Sequence, residues 1–200
     1  MRLLLPRLAA LIMLAGICLA EDAVAMRARL VAALDADPLI DAKVKAFAKD
    51  KLVPLTADAV LVREAKAQNA KKVPLADIKK LDQEWTAAEA ELPIQKEKMS
   101  NAAAEAIRGI AKGLSPLREI FAMDDQGANV GQNNLTSDFW QGDEDKWQKS
   151  FAGGKGGVDV GKAKFDKSAN TTQQQVSLPL IDADGTVVGA ITFGVSIDAL

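Results

Sequence analysis

Residues 136–147 combine aromatic and acidic side chains in a way that suits a ligand pocket. The segment holds two of the three tryptophans of the chain, Trp140 and Trp147, together with Asp138. Large aromatic side chains are costly to leave exposed, and connections between strands often carry binding residues. Aromatic walls beside carboxylates are typical of a pocket for a small polar ligand. We therefore expect this segment to bind a ligand rather than to catalyse a reaction.

The composition removes several kinds of chemistry. Histidine and tyrosine are absent, and the one cysteine, Cys18, lies in the N-terminal segment. The commonest general base and the commonest zinc ligand are therefore missing. The carboxylates near the aromatic segment are Asp138, Asp143, Glu144, Asp145 and Asp166. Their spacing pairs no two of them for acid and base work, and no nucleophile motif accompanies them. We expect no catalytic residue, no metal site and no cofactor.

The first 25 residues have the layout of a secretory signal peptide. Basic residues precede an apolar run over residues 8–19, and small residues offer two candidate cleavage points, after Ala20 and after Ala25. The run is short for a membrane span, although retention as an uncleaved anchor stays open. We expect export to the periplasm. Export permits disulfides, but removal of Cys18 with the signal would leave no thiol.

The chain changes character near residue 116. Alanine, lysine, leucine and glutamate dominate before it, and glycine, asparagine, threonine and valine after it. This order predicts an α+β fold in which a helical region, residues 26–116, and a sheet, residues 117–200, form one structural domain. Capping residues and prolines predict four helix starts, at Asp37-Pro38, Thr56, Pro74 and Asn101.

The second region predicts a five-stranded antiparallel sheet. The predicted strands are residues 117–123, 128–133, 158–165, 172–181 and 186–197, with a short helix at 143–151 between the second and third. On that helix, Trp140, Glu144, Trp147 and Phe151 would share one face if the helix began early.

The last hairpin predicts a sheet with two different faces. A type I′ turn at Asp184-Gly185 would place Ser177 opposite Thr192. One face of the two strands is then apolar, whereas the other carries Gln175, Ser177, Thr192 and other small or polar residues. Two interpretations stay open for the polar face. It either meets water or forms the floor of a shallow cup roofed by the aromatic–acid segment.

Taken together, these segments resemble the extracytoplasmic PAS-like sensors of the Cache, or PDC, family. The resemblance covers roughly residues 94–200 and rests on residues 119–131, 136–147, 165–168, 175–179 and 184–195. It implies a PAS-like sheet that binds small metabolites, often amino acids or carboxylates, and no catalysis. Most such domains precede a transmembrane helix and an output module. Because this chain ends at Leu200 just after the fifth strand, we expect its output to pass through another protein.

The predicted ligand-binding residues are Asp138, Trp140, Trp147, Asp166, Gln175, Ser177 and Thr192. In this hypothesis the two tryptophans wall the pocket and the two aspartates hold a cationic or hydroxyl group of the ligand. The three sheet residues supply neutral hydrogen bonds. Trp147 has an alternative role as the core anchor of its short helix.

The leading hypothesis is a periplasmic, sensor-type binding protein without an output domain of its own. Its predicted partners are a small polar metabolite of the amino-acid or carboxylate class and a membrane receptor or kinase. A homodimer through the N-terminal helices is also expected. The net charge of −2 gives no electrostatic footprint for nucleic acid. The alternatives are a structural or interaction protein that docks a membrane partner and a hydrolase with an unrecognised carboxylate pair.

Overall fold

The computed structural model describes residues 22–166 and 171–200, so the predicted signal peptide lies almost wholly outside the described residues. The helices are α1 (Ala23–Ala36), α2 (Ala42–Phe47), α3 (Val53–Leu55), α4 (Ala59–Asn69), α5 (Leu75–Ala87), α6 (Pro93–Ser100), α7 (Ala102–Gly113) and α8 (Asp145–Phe151). A π-helical turn, Ala48–Leu52, joins α2 to α3. No helix in these two ranges is long and apolar enough to span a membrane.

Two of the four predicted helix starts are confirmed. Pro74 stands directly before α5, where its fixed backbone angle suits the entry to a helix. The side chain of Asn101 caps α7, because its oxygen accepts a hydrogen bond from the Ala104 N–H at 2.9 Å.

The other two predicted helix starts are wrong. Asp37 ends α1 instead of starting a helix, and α2 begins at Ala42 with the carboxylate of Asp41 as its cap. Thr56 donates its hydroxyl back to the carbonyl of Val53, so Asp58 caps α4 in its place. In both cases an aspartate a few residues further on accepts the helix N–H groups instead.

The sheet has six antiparallel strands, not the five that were predicted. They are β1 (Leu117–Met123), β2 (Asn129–Gln132), β3 (Asp159–Val160), β4 (Lys164–Asp166), β5 (Thr171–Ile181) and β6 (Val187–Ser196). The order across the sheet is β2-β1-β6-β5-β3, and β4 also pairs with β5.

The extra strand arises because the predicted third strand is interrupted. Its two halves, β3 and β4, both pair with β5 but are separated by residues 161–163. A glycine, Gly161, stands at the break, and its N–H still donates to the carbonyl of Gln175 at 2.9 Å. Glycine inside a strand weakens the ladder and marks such irregularities.

The register of the last hairpin is confirmed, although its predicted turn type is wrong. Ser177 pairs with Thr192 as expected. Of the two predicted turn residues, only Gly185 has a positive φ, of 86°, so the turn is not type I′. The loop closes through the Gly185 N–H to the Asp182 carbonyl at 3.0 Å, and a bulge after Leu180 restores the pairing.

The predicted division of the sheet into two faces is confirmed. One face is apolar, fully or nearly fully buried, and packs against the helices in the main core. Its members are Ile120, Ala122, Val176, Leu178, Leu180, Ile191, Phe193 and Val195. Helical residues such as Val44, Leu61 and Ile107 complete this core. The other face carries the candidate site.

Candidate functional site

Helix α8 lies against β5 and β6 and covers one end of the polar face, which we call the covered end. The rings of Trp147 and Phe151 stack with centroids 5.1 Å apart. They pack against Phe121, Met123 and Ala190 of the sheet in a small apolar cluster. The helix thus turns this half of the polar face into a second layer of core.

Two predicted floor residues, Ser177 and Thr192, are brought together at the covered end. Both are completely buried, and their hydroxyl oxygens lie 2.9 Å apart in a mutual hydrogen bond. Each hydroxyl therefore has a partner within the protein, as buried polar groups require.

Trp147 has the contacts of a core anchor, the second of its two predicted roles. Besides stacking on Phe151, its indole N–H donates to the carbonyl of Asp124 at 3.0 Å. Trp147 is partly buried, and an indole removed from water usually finds such a partner; here the bond joins α8 to the turn between β1 and β2.

Trp140 faces α5 and the β1–β2 turn. Its indole N–H donates to the carbonyl of Gln126 at 2.8 Å, and the Lys79 ammonium lies 4.3 Å from its ring centroid. Asp82 of α5 accepts the backbone N–H groups of Phe139 and Trp140 at 2.8 and 2.9 Å. Because Trp140 bridges to Ala128 and α8 begins only at Asp145, the predicted helical face shared with Trp147 is wrong.

Asp138 is half-buried and bonded to its own segment. Its carboxylate accepts hydrogen bonds from the Gln141 side-chain amide and from the Ser137 hydroxyl. Its carbonyl accepts the amide of Asn129 at 3.2 Å and the hydroxyl of Thr136 at 2.7 Å. These bonds fold residues 136–141 into an ordered connection.

The remaining part of the polar face, which we call the open end, holds a cleft of about 430 Å³. Its lining residues are Glu119, Gly161, Lys162, Lys164, Phe165, Gln173 and Gln175. Among the predicted site residues whose side chains the structure describes, Gln175 is the one that lines this cleft, and its amide donates to the Glu119 carboxylate at 3.1 Å. The Phe165 side chain is 60% exposed at the rim.

A glycine on the central strand keeps the cleft floor open. A Cβ atom at Gly194 would lie 2.8 Å from the Gln173 side-chain oxygen and 3.1 Å from the Glu119 Cβ. The absence of a side chain at this position leaves the space between β1 and β5 free.

Asp166 ends β4 opposite Thr171, and its side chain lies outside the described residues. The structure therefore brings Ser177 and Thr192 together, places Gln175 in the cleft, and directs Trp140 and Trp147 elsewhere. Among the described residues, no group of three or more acidic side chains forms a candidate metal site.

The cleft contains residues that sequence reasoning missed, namely Glu119, Lys162, Lys164 and Phe165. Alternation along β1 puts Glu119 on the same face as Phe121, and that pattern is readable from the sequence. Its position beside Gln175 depends on the long-range pairing of β1 with β6, which local patterns do not reveal.

No protein-family model matches the chain, and no curated protein matches it. Similar solved structures include the sensor domain of the V. cholerae histidine kinase DctB, at 14% identity and a TM-score of 0.41. The match covers 88% of this chain and 55% of that domain, so the chain spans about half of its length.

Two other similar structures are receptor domains. One is the ligand-binding domain of the Campylobacter jejuni chemoreceptor Tlp3 in complex with 4-methylisoleucine, at 15% identity and a TM-score of 0.37, covering 78% of this chain and 63% of that one. The other is an extracellular ligand-binding receptor from Desulfohalobium retbaense, at 12% identity and a TM-score of 0.34, covering 70% of this chain and 25% of that one.

Proposed function

We propose that this chain is a periplasmic, Cache-like sensor protein that binds a small polar metabolite and has no catalytic activity of its own. In this proposal residues 1–25 direct export, and the open end of the polar face holds the ligand. The observation that carries it is the cleft beside Gln175, a concave site of about 430 Å³ with polar groups on its floor and walls. Ligand sites commonly have this size and few convergent polar groups.

The charges around the cleft favour a ligand of the amino-acid or carboxylate class. Glu119 on β1 supplies an acidic group on one side, whereas Lys162 and Lys164 supply cations on the other. Strands β6 and β5 separate the two sides, so the backbones are about 14 Å apart at a spacing of roughly 4.8 Å per strand. A ligand ammonium would bind Glu119, a carboxylate would bind the lysines, and Phe165 would contact an apolar part.

We propose a membrane receptor or kinase as the signalling partner of this chain and a homodimer through the N-terminal helices as the signalling form. Sedimentation of the purified chain at micromolar concentration, with and without ligand, would test the dimer. Finding only monomer in both conditions would contradict the proposed homodimer.

The first experiment is a thermal-shift screen of the purified chain against amino acids, organic acids and purines. A ligand at 100 times its Kd is expected to stabilise the protein by about 2.7 kcal/mol. Should no compound of these classes raise the Tm, the alternative of a protein that docks a membrane partner would become the better hypothesis.

Substitutions then locate the site. Glu119→Gln and the double change Lys162→Gln with Lys164→Gln are each expected to weaken binding about tenfold to hundredfold, because charge-assisted hydrogen bonds contribute about 1.5–3 kcal/mol. The matched controls are Glu105→Gln and Lys112→Gln, which change exposed residues of α7. Asp138→Ala serves as a comparison. If it abolishes binding while the cleft variants bind normally, the ligand lies beside the aromatic–acid segment.

A further inference from the structure

A second pocket lies at the other end of β1 from the cleft, between α4, α5, α6 and the β1–β2 turn. Its volume is about 140 Å³. The walls are mainly apolar and include Ile78, Leu81, Ile94 and Phe139. Gln68, Lys98 and Asp124 supply polar groups, and the exposed Lys71 and Asp77 also line the pocket. Apolar walls with a few placed polar groups are the usual composition of a small-ligand site.

The buried cationic group of this pocket is Lys98. Lys98 is only 5% exposed, although it stands on a helix whose other lysine, Lys96, is exposed. Its ammonium donates to the Gln68 side-chain oxygen at 2.8 Å and pairs with the Glu97 carboxylate at 3.0 Å. An ammonium has three N–H donors, so these two partners leave one donor. Burial lowers the pKa of Lys98, because the charged form loses water.

Asp124 does not take up the remaining donor of Lys98. One of its carboxylate oxygens accepts the backbone N–H groups of Gln126 and Ala128, both at 2.9 Å. The other accepts the Gln68 amide at 2.8 Å. Gln68 therefore links the two charges, but the turn between β1 and β2 consumes most of the acceptor capacity of Asp124. The unused donor of a buried ammonium calls for a further acceptor, and a carboxylate oxygen is the acceptor that forms the strongest such bond.

We propose that this pocket binds a short-chain monocarboxylate. The carboxylate would accept the remaining N–H of Lys98, and the hydrocarbon part would pack against Ile78, Leu81 and the other apolar walls. At about 140 Å³ the pocket is close in size to an engineered apolar cavity of about 150 Å³ that binds benzene, so it has room for a molecule such as butyrate. The site is separate from the cleft beside Gln175 and does not depend on the function proposed for it.

Calorimetric titration of butyrate into the purified chain tests the proposal. Saturable binding is expected for butyrate and not for its neutral analogue butyramide, because the amide lacks the charge that pairs with the ammonium. Lys98→Met keeps the length of the side chain and removes the charge, and it is expected to weaken butyrate binding about tenfold to hundredfold. Lys96→Met on the same helix is the matched control and should bind like the wild type.

A second variant keeps the test decisive if Lys98→Met does not fold. Leu81→Trp enlarges a half-buried wall residue and should block the pocket while the ammonium stays in place. Loss of butyrate binding in Lys98→Met but not in Lys96→Met would place the carboxylate in this pocket rather than at the cleft lysines, which separates this site from the proposed function. Failure of the wild type to bind butyrate saturably, or equal binding by Lys98→Met and the wild type, would overturn the proposal.

Discussion

Both ends of the polar face carry polar side chains, but those at the covered end are buried whereas those at the open end line a cleft. At the covered end, α8 lays Trp147 and Phe151 over the sheet, so Ser177 and Thr192 are buried and bond to each other. At the open end no helix crosses the strands in the described part, and polar side chains line a cleft.

The difference between the two ends comes from what covers the strands. Small polar residues such as Ser177 and Thr192 serve equally well as a pocket floor or as an interior pair, since each hydroxyl satisfies the other. A charged residue such as Glu119 does not have that freedom, because burying a carboxylate is costly. Charge on the sheet is therefore a better guide to an open site than polarity alone.

The largest expected effect is on the free energy of unfolding, when an aromatic residue at the covered end is substituted rather than one at the open end. Trp147→Ala removes the ring that packs on Phe121 and the bond to the Asp124 carbonyl, and it should lower the free energy of unfolding by about 3 kcal/mol. Phe165→Ala changes a side chain that is 60% exposed and should alter stability by less than about 0.5 kcal/mol.

Urea denaturation of both variants measures the contrast. Trp147→Phe is the control, because it retains aromatic packing without the indole N–H. Equal destabilisation by Trp147→Ala and Phe165→Ala would show that the two ends do not differ in this way.

A smaller effect is expected from glycines near the two ends of β6. A Cβ atom at Gly189 would lie 2.1 Å from the backbone oxygen of Met123, so Gly189→Ala forces the backbone apart and should cost about 1–3 kcal/mol. At Gly194 the nearest atom is the flexible end of Gln173, so Gly194→Ala should cost under about 1 kcal/mol while weakening ligand binding in the cleft. Thermal melts and ligand titrations of the pair separate the effects, and unimpaired binding by Gly194→Ala would argue against the cleft floor.

Sequence patterns predict the fold correctly where they depend only on neighbouring residues. The register of β5 with β6 follows from alternation of apolar residues, which is why it survived a wrong turn type. The split of the third strand at Gly161 was not readable, because it depends on how the chain crosses β5. Helix starts failed at Thr56, where Asp58 is the competing cap.

The candidate site was less readable because its members meet through long-range packing. The aromatic segment predicts Trp140 and Trp147 as pocket walls, yet their indole N–H groups bond to the carbonyls of Gln126 and Asp124. Glu119 lies on a strand far from Gln175 in sequence, and Lys98 looks like any other lysine of a helix. Burial is what distinguishes Lys98, and burial requires the positions of α4 and α5.

The smallest expected effect concerns the hydrogen bonds that hold the start of β5 at the open end. Asp198 accepts hydrogen bonds from the Thr172 N–H at 2.8 Å and from the Thr171 hydroxyl at 2.9 Å, which hold the start of β5 next to the cleft. The Thr172 N–H is the main cause that lowers the pKa of the Asp198 carboxyl. A carboxyl with a lowered pKa stabilises the fold above its unfolded pKa, and that stability is lost as the pH falls through the folded pKa.

The Tm of Asp198→Asn should therefore lie below that of the wild type at pH 6, and the gap should shrink as the pH falls below about 4. Asp143→Asn, which changes an exposed carboxylate beside the covered end, is the control and should show no such gap. Because Gln173 lines the cleft one residue after Thr172, Asp198→Asn should also loosen the open end without disturbing the packing of Trp147. Near-ultraviolet circular dichroism, which reports on the tryptophans, should stay unchanged in this variant. A gap that does not shrink at all as the pH is lowered from 6 towards about 2 would mean that the ionised carboxylate is not what holds β5, and the open end would then owe its order to the strand pairing alone.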